Sequence, residues 1–388
     1  MLFNVCALYI KIMNNENQTI HKSDDNLTIY GWNEKLNQLK QESIYSALAH
    51  GRVSIVHRTC YEVISGNGLF QCELTGNMMY GKSDDELPCT GDWVIFQPFD
   101  EHKGIIVDSL PRERTLYRKK SGTVADKQAI ASYVDKAFIV QSLDDNFNVR
   151  RVERFMVQIM EENISSVLVL NKADLDFDRQ SVEEQIKHIS SQIPVFFTSI
   201  HQLETIVRLR KSISEGETVV FVGSSGVGKS SLVNALCEKP VLLTSDISLS
   251  TGKGRHTSTR REMVLMDSSG VLIDTPGVRE FGLAIDNPDS LAEVLEISDY
   301  AELCRFKDCK HINEPGCAVL EAVNGTRTRV AAVKGRSLNR LIDYKVYASY
   351  LKLRREAWHF SASEHEKRKK EKSFTKLVEE VKNRKANR

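Results

Sequence analysis

GSSGVGKSS, the stretch Gly223–Ser231, follows the apolar run TVVFV and precedes the helical pattern SLVNALC. Its spacing is G-x4-G-K-S, and a strand, a loop and a helix in succession are the context in which this spacing forms a phosphate-binding loop, or P-loop. The glycines allow backbone N–H groups to turn toward phosphates. We therefore predict that Lys229 reaches the terminal phosphates and that the hydroxyl of Ser230 binds Mg²⁺. The predicted nucleotide-binding residues here are Gly223, Ser224, Ser225, Gly226, Val227, Gly228, Lys229, Ser230 and Ser231.

Two further motifs each end an apolar run. LIDTPG places Asp274 where a carboxylate organises Mg²⁺ beside a P-loop, and the N–H of Gly277 can face a γ-phosphate. LNKAD ends at Asp174, whose carboxylate can accept the N1–H and the exocyclic amino group of guanine, a pair that adenine does not offer. Beside a P-loop, this motif predicts guanine recognition. The residues assigned to it are Asn171, which holds the loop and touches the base, Lys172, which covers the base, Ala173, Asp174, and Ser199 of the following FFTS motif.

The order of these motifs is reversed. An ordinary GTPase runs from the P-loop through DxxG to NKxD and a serine-containing loop, whereas here NKAD and FFTS precede the P-loop and DTPG. Joining the ends of the segment restores the usual order. Because the termini of a domain usually lie close together on its surface, the same sheet can be cut at another loop without moving the ligand-binding groups. The sequence therefore predicts a circular permutation.

The region that carries these motifs alternates apolar runs with helical patterns. The runs KAFIVQSL, SVLVLN, PVFFTS, TVVFVG and GVLIDT are typical of buried parallel strands, and stretches such as VRRVERFMVQIMEEN have helical apolar spacing. This alternation is typical of an α/β fold with a parallel sheet. We predict a circularly permuted α/β P-loop GTPase domain over residues 135–287.

The residues before this region predict a small β-barrel. Five short strand-like runs (RVSIVHR, CYEVIS, LFQCELTG, DWVIFQPF and KGIIVDSL) are separated by turn signals. Their number and spacing fit an OB-fold, while an SH3-like or other small barrel stays open as the alternative. We assign residues 51–112 to the OB-fold domain, residues 1–50 to an extension and lead-in helix, and residues 113–134 to a polar linker.

A metal-binding pattern follows the GTPase motifs. Cys304-x4-Cys309-x-His311-x5-Cys317 places three thiols and an imidazole within fourteen residues, which suits a closed, structural Zn²⁺ site. Beyond Asn287 the patterns are helical and no strand is expected. From Leu351 to Arg388 the chain has 13 Lys and Arg against 6 Glu. We assign residues 288–388 to a zinc-binding helical domain with a basic tail.

Composition restricts the class of protein. The chain has 388 residues, 41% hydrophobic and 27% charged, with a net charge of +1, which is typical of a globular protein. No segment has the uninterrupted apolar length of a membrane helix, and the opening MLFNVCALYIKIM lacks the basic leading region and cleavage site of a signal peptide. Cysteine spacing does not suggest a disulfide framework. These features predict a cytoplasmic protein without a membrane partner.

Taken together, the motifs resemble one family, the circularly permuted, ribosome small subunit-dependent GTPases (the RsgA, YjeQ or EngC family). The resemblance extends from about Leu27 to the C-terminal helices, and it implies a monomer that binds GTP and GDP. It further implies docking on the 30S ribosomal subunit and its 16S rRNA late in maturation, with GTP hydrolysis coupled to release. One departure is ASYVD at Ala131–Asp135, where the family commonly has AANVD. The matching stretches are GWNEKL, GRVSIVHRTCYEV, LPCTGDWV, FNVRRVERF, NKADL, GSSGVGKSSLVNAL, STGKGRHTSTRREM, LIDTPGVREFGL and CRFKDCKHINEPGCAV.

The catalytic step needs a residue other than glutamine. Ras-like proteins place a water-orienting glutamine after DxxG, but Val278 stands there in this chain. The basic stretch GKGRHTSTR occupies the switch I position, and family members carry a histidine that matches His256. We predict His256 as the catalytic residue, because a neutral imidazole can hold a water through its lone pair. Thr257, or alternatively Thr259, completes the Mg²⁺ shell.

Two other functions compete with this interpretation. The first is a regulatory GTP-binding switch that acts on protein partners, with the barrel as a docking module. The second is a P-loop enzyme that phosphorylates a small molecule, which NKAD argues against because it selects the base of a nucleotide. The basic switch stretch and the basic tail favour an RNA-associated GTPase over the regulatory switch.

Overall fold

Strands near the N-terminus close into a barrel in the computed structural model. Its strands are β1 Ala49–Val56, β2 Tyr61–Ser65, β3 Gly68–Leu74, β4 Trp93–Asp100 and β5 Lys103–Ser109. The strand β1 pairs with both β2 and β4, and β3 pairs in parallel with β5, so the pairing returns to its starting strand. The predicted OB-like barrel is confirmed. The structure describes residues 25–119, 127–238, 240–241, 262–267, 270–274, 291–292, 294–295, 297–325, 332–333, 336–337, 341–361 and 366.

Helices α1 Asp25–Thr28 and α2 Glu34–Glu42 precede the barrel, and α3 Gly76–Gly81 lies between β3 and β4. Asn33 caps α2, because its side-chain oxygen accepts a hydrogen bond from the backbone N–H of Leu36 at 3.1 Å. Trp32 packs edge-on against Trp93 of the barrel, with ring centroids 4.8 Å apart. The predicted lead-in helix is thus a pair of short helices fixed to the barrel wall by aromatic packing.

The segment 113–134, predicted as a polar linker, contains a two-stranded antiparallel sheet of β6 Leu116–Lys119 and β7 Lys127–Ala131. Leu116 and Ile130 are fully buried in the core of the GTPase domain. Tyr133, at the position of the family's asparagine, takes a left-handed backbone with φ 52°. Asparagine adopts this conformation more readily than tyrosine. The tyrosine ring is buried, and its hydroxyl donates to the carbonyl of Pro111 at 2.5 Å.

The GTPase domain is built on a mainly parallel sheet. Its parallel strands, in spatial order, are β10 Val195–Thr198, β9 Ser165–Asn171, β8 Lys136–Ser142, β11 Thr218–Val222 and β13 Val271–Asp274. The strand β12 Glu262–Leu265, which we did not predict, pairs antiparallel with β13. Helices pack on both faces of the sheet, as α4 Val149–Glu161, α5 Arg179–Gln185, α6 Lys187–Ser190, α7 Leu203–Arg210 and α8 Lys229–Cys237. The predicted parallel α/β arrangement is confirmed.

The C-terminal part contains α9 Ser298–Ala301, α10 Ala318–Asn324 and α11 Tyr344–Ser361. It also has a short ladder, β14 Ala332–Val333 with β15 Arg336–Ser337, so the expectation of no strand beyond Asn287 was wrong. Two residues a strand are too few to produce an alternating pattern. Within the ranges that the structure describes, no helix is both long enough and apolar enough to cross a membrane.

The C-terminal helix α11 is joined to α4 of the GTPase domain by buried polar contacts. One carboxylate oxygen of Glu153 lies 2.9 Å from Nε2 of His188, and the other accepts a hydrogen bond from the hydroxyl of Ser349. Glu153 is 2% exposed. An ion pair of 3.1 Å between Arg154 and Glu356 lies next to it. A buried carboxylate is tolerated only when its oxygens have partners, so these contacts fix α11 on α4.

Arg52 of the barrel strand β1 joins the barrel to the GTPase sheet. Its side chain is buried, and its guanidinium donates to Thr218 Oγ1 at 2.9 Å, at the start of β11. It also donates to the carbonyls of Gly91, Tyr30 and Tyr133. Burial lowers the pKa of Arg52 to about 10, so the group stays charged at neutral pH. Nearby, Ile55 of β1 pairs with Glu262 of β12, which continues the sheet into the barrel.

We predict that Arg52→Met destabilises the protein strongly. The substitution keeps an apolar stem but leaves the carbonyls without their donor, and each unsatisfied buried carbonyl costs about 1–3 kcal/mol. The free energy of unfolding should fall by about 3 kcal/mol or more, measured by urea denaturation. The control Arg58→Met, at an exposed position a few residues further on, should change it by less than about 0.5 kcal/mol. A loss below about 1 kcal/mol for Arg52→Met would contradict the role of Arg52.

Candidate nucleotide site and metal centre

The predicted motifs meet at one edge of the parallel sheet. The P-loop follows β11, NKAD begins at the last residue of β9, and Asp274 is the last residue of β13. The strand β13 is the parallel neighbour of β11, with Val220 opposite Ile273. Asp274 therefore lies next to the end of the strand that leads into the P-loop. Carboxyl ends of parallel strands are where open α/β sheets bind ligands. His256, Thr257, Thr259 and Gly277 lie outside the described residues.

Both the backbone conformation and the lack of space for a side chain require glycine in the P-loop. Gly223, Gly226 and Gly228 have φ values of 155°, 82° and 93°. A Cβ on Gly223 would lie 2.4 Å from the carbonyl oxygen of Val140, and one on Gly228 would lie 2.3 Å from Nδ2 of Asn171. The loop therefore keeps a shape that a side chain at either position would destroy. Such a loop is suited to presenting backbone N–H groups to phosphates.

Lys229 begins α8 and folds over the loop that precedes it. Its Nζ donates to the carbonyls of Gly223 at 2.9 Å and Ser224 at 2.8 Å. Ser230 and Ser231 follow in the first turn of the helix. Helix N-termini favour anions because their first N–H groups have no partner within the helix. The charge of Lys229, the N-terminus of α8 and the serine hydroxyls thus lie together at this edge of the sheet, an arrangement suited to an anionic ligand.

Asn171 ties three segments of the site together. Its Nδ2 donates to the carbonyl of Val227 in the P-loop at 2.9 Å, and its Oδ1 accepts from Thr198 Oγ1 at 3.3 Å. The side chain is 3% exposed. This asparagine therefore holds the loop, as predicted, by buried hydrogen bonds that couple NKAD to the P-loop and to the end of β10.

Lys172 pairs with an acidic residue that sequence reasoning did not single out. Its Nζ lies 2.8 Å from Oδ2 of Asp144, in the loop after β8. Partial desolvation raises the pKa of Asp144, but hydrogen bonds from Lys172, Ser142 and the N–H of Asn146 outweigh it and lower that pKa to about 2. Asp144 is thus ionised at neutral pH and holds the Lys172 stem at the edge of the sheet. Its position directly after a strand of the parallel sheet was the available signal.

The end of NKAD contacts the end of FFTS. The N–H of Ala173 donates to the carbonyl of Thr198 at 3.0 Å. A hydrogen bond from Ser199 is the main cause that lowers the pKa of Asp174, so this exposed carboxylate is ionised at neutral pH. An ionised aspartate accepts hydrogen bonds only. This is the state that recognition of two N–H groups on one edge of guanine requires.

The cysteines and histidine predicted as metal ligands form a cluster. His311 Nδ1 lies 3.5 Å from Cys304 Sγ and 3.4 Å from Cys317 Sγ, and these two sulfurs are 3.8 Å apart. With Cys309 included, all four ligand atoms lie within 4.8 Å of one another. A tetrahedral Zn²⁺ ion with bonds of about 2.3 Å to sulfur and about 2.0 Å to nitrogen separates two sulfurs by about 3.8 Å, and sulfur from nitrogen by about 3.5 Å. The distances among Cys304, His311 and Cys317 match that geometry, and Cys309 lies close enough to be the fourth ligand.

The backbone around the cluster is held by specific contacts. The carboxylate of Glu314 accepts from the N–H groups of Ile312, Lys310 and Asn313. These hydrogen bonds lower the pKa of Glu314 to about 2, and the bond from Ile312 has the largest effect. The hydroxyl of Tyr347 on α11 donates to the carbonyl of His311 at 2.6 Å. Contacts of this kind orient metal ligands before an ion binds.

The order of the strands along the chain defines the class of protein. The sheet and P-loop are those of a P-loop GTPase, but the strand that leads to NKAD precedes the P-loop strand along the chain while lying two strands away in the sheet. The fold and the site thus define a circularly permuted P-loop GTPase, with a barrel before it and a Cys3His cluster after it.

Comparisons with known proteins narrow this class. The family model described as RsgA GTPase matches residues 109–284. The chain is 73% identical over 376 residues to "Small ribosomal subunit biogenesis GTPase RsgA 1" of Bacteroides thetaiotaomicron, covering 97% of this chain and 100% of that protein. It is 38% identical over 322 residues to "Small ribosomal subunit biogenesis GTPase RsgA" of Methanosarcina acetivorans, covering 80% and 85%. The chain belongs to the RsgA GTPase family.

Solved structures agree with this fold. The crystal structure of YjeQ from Thermotoga maritima is similar with a TM-score of 0.57 and 25% identity, and covers 80% of this chain and 98% of that one. The structure of YloQ, described as a circularly permuted GTPase, has a TM-score of 0.57 and 20% identity, with 83% and 99% covered. At 20% identity the second likeness concerns the fold alone.

We predict that Asn171→Asp destabilises the GTPase domain even without nucleotide. The replacement has the same shape but turns a carboxylate oxygen toward the carbonyl of Val227, so that carbonyl loses its donor and two acceptors face each other. We expect a loss of about 1–3 kcal/mol in the free energy of unfolding, followed by urea denaturation. Asp174→Asn, at an exposed position of the same motif, is the control and should change it by less than about 0.5 kcal/mol. Equal effects of the two substitutions would contradict the role of Asn171 in joining NKAD to the P-loop.

Proposed function

We propose that this protein is a GTPase that binds the small ribosomal subunit and couples GTP hydrolysis to a late step of its maturation. The observation that carries the proposal is the 73% identity, over essentially the whole chain, to a protein named for small-subunit biogenesis. The joined P-loop and NKAD motifs support guanine nucleotide binding independently of that name. The 16S rRNA is the proposed RNA partner, and we propose a cytoplasmic monomer.

Each predicted nucleotide residue has a proposed task. Asp174 selects guanine, Lys172 covers the base, and Asn171 with Ser199 holds the base-binding loops. Lys229 contacts the terminal phosphates, and the P-loop N–H groups bind the remaining phosphate oxygens. Mg²⁺, when bound, neutralises charge on the β- and γ-phosphates. Ser230, Asp274 and Thr257 are its proposed ligands or organisers, and Gly277 is the proposed γ-phosphate sensor.

Hydrolysis requires a group that orients water, and we propose His256 for this task. Val278, which follows DTPG, cannot orient or polarise a water. His256 lies in the basic stretch between the P-loop and DTPG, so a bound RNA surface can bring it to the γ-phosphate. The small subunit would then act as the activator that completes the catalytic site.

Nucleotide hydrolysis with and without purified 30S subunits tests the proposed function. The wild-type protein should hydrolyse GTP in preference to ATP and sediment with 30S subunits in the presence of a non-hydrolysable GTP analogue. Subunits should accelerate hydrolysis by about a hundredfold or more, the lower end of what one oriented catalytic group contributes. His256→Ala should bind GTP and subunits normally but lose most of this acceleration.

Two outcomes would contradict parts of this proposal. A GTP hydrolysis rate that does not respond to 30S subunits, together with absence of co-sedimentation, would favour the regulatory switch that acts on protein partners. Full acceleration in His256→Ala would move the water-orienting role to another residue or to the ribosome.

We further propose that the Cys3His cluster binds one structural Zn²⁺ ion. The ligand spacing supports this, and four protein ligands leave no open position for substrate. Protein purified without added metal should contain about one Zn²⁺ per chain by elemental analysis. Cys309→Ser should lower that ratio and make the C-terminal part sensitive to proteolysis, whereas Cys60→Ser, which changes a half-buried barrel cysteine, should not. A ratio near zero in the wild type would contradict the assignment.

A further inference from the structure

Arg151 contacts the P-loop from a different part of the chain. It lies in the first turn of α4, and its Nη1 donates to the side-chain oxygen of Ser224 at 3.0 Å. The same nitrogen is 3.3 Å from the carbonyl oxygen of Asn146 and 3.5 Å from its side-chain oxygen. Arg151 thus connects the loop after β8 to the second residue of the P-loop. No role was assigned to it from the sequence.

Ser224 lies between two cationic groups. Its hydroxyl accepts from Arg151, and its carbonyl accepts from Lys229 Nζ at 2.8 Å. Among the residues with described positions, no carboxylate forms an ion pair with Arg151, in contrast to Lys172, which pairs with Asp144. Arginine stays charged in proteins. Its charge therefore adds to the positive potential at the loop, which favours a polyanionic ligand.

The backbone that carries Arg151 is held firmly. Asn148 caps α4 by accepting the N–H of Arg151 at 3.2 Å, and Asp144 Oδ1 accepts the N–H of Asn146 at 3.0 Å. Val152, in the next position of the helix, is fully buried. The backbone that positions the guanidinium beside Ser224 is therefore held in place. By contrast, Ser225 and Gly226, which follow Ser224 in the loop, are exposed.

We propose that Arg151 is a positioning residue of the nucleotide site. Through its hydrogen bond to Ser224 it holds the first half of the P-loop in the shape that binds the phosphates of a guanosine di- or triphosphate. The inference rests on the proposed function of this loop in binding GTP and GDP. Beside Lys229, Arg151 is a second cation at the P-loop. It raises nucleotide affinity by holding the shape of the loop.

A double-mutant cycle on Arg151 and Ser224 tests the proposal, with affinities for fluorescent GDP and GTP analogues as the readout. Arg151→Met and Ser224→Ala should each weaken binding by roughly tenfold, the effect of losing one hydrogen bond to a charged group. The double variant should be no more than about twofold weaker than either single variant, because both remove the same interaction. Arg151→Lys keeps the charge and one donor, and should recover most of the lost affinity.

Arg150→Met is the matched control. It removes the same charge from the neighbouring, exposed position of α4 and should change affinity by less than about twofold. Thermal unfolding without nucleotide checks that every variant is folded, and any coupling seen there measures the Arg151–Ser224 hydrogen bond in the free protein. A purely structural role would appear in that measurement and not in the nucleotide affinities.

The outcomes separate this inference from the proposed function. Wild-type binding of GDP and GTP with unchanged affinity in Arg151→Met would overturn the role of Arg151 alone. Additive losses in the double variant, or an equal loss in Arg150→Met, would also overturn it. Absence of guanine nucleotide binding by the wild type would overturn both the inference and the proposed function.

Discussion

Parallel pairing of β10, β9, β8, β11 and β13 brings the carboxyl ends of these strands to one edge of the sheet, and the rest of the site depends on that arrangement. Each strand end delivers a motif to the same place, whatever its order along the chain. Asn171 makes the dependence specific, since its buried amide joins the end of β9 to the P-loop and to Thr198. A circular permutation is compatible with this site because the hydrogen bonds among its described residues do not depend on the usual chain order.

The helix α4 connects the nucleotide edge to the part of the chain that carries the Cys3His cluster. Its first turn carries Arg151 to the P-loop, and the next residues, Glu153 and Arg154, contact α11. In turn, α11 carries Tyr347, which donates to the carbonyl of His311 in the cluster. The helix α4 thus contacts both the P-loop and α11, and α11 in turn contacts the backbone of the cluster.

Much of this architecture was predictable from the sequence, because its signals are local. Strands of the barrel and sheet appear as apolar runs, and the ligand motifs have fixed spacing. The contacts of Arg52 and Arg151 were not predictable, since each joins residues far apart in the chain and nothing in the neighbouring sequence marks the partner. Asp144 had one signal, its position directly after a strand of the parallel sheet. The sheet within the supposed linker was missed for a similar reason: Leu116 and Ile130 are apolar because they complete a core formed by another segment.

The continuation of the sheet from β12 into β1 bears on how the molecule comes apart. Regions that share backbone pairing and a buried charged side chain tend to open together as one cooperative unit, as hydrogen exchange reveals in other proteins. The barrel shares both with the GTPase sheet, through Ile55 and Arg52. A boundary near residue 112 therefore separates two folds that unfold together. Slow hydrogen exchange in β1 should accompany slow exchange in β12, the strand with which it pairs.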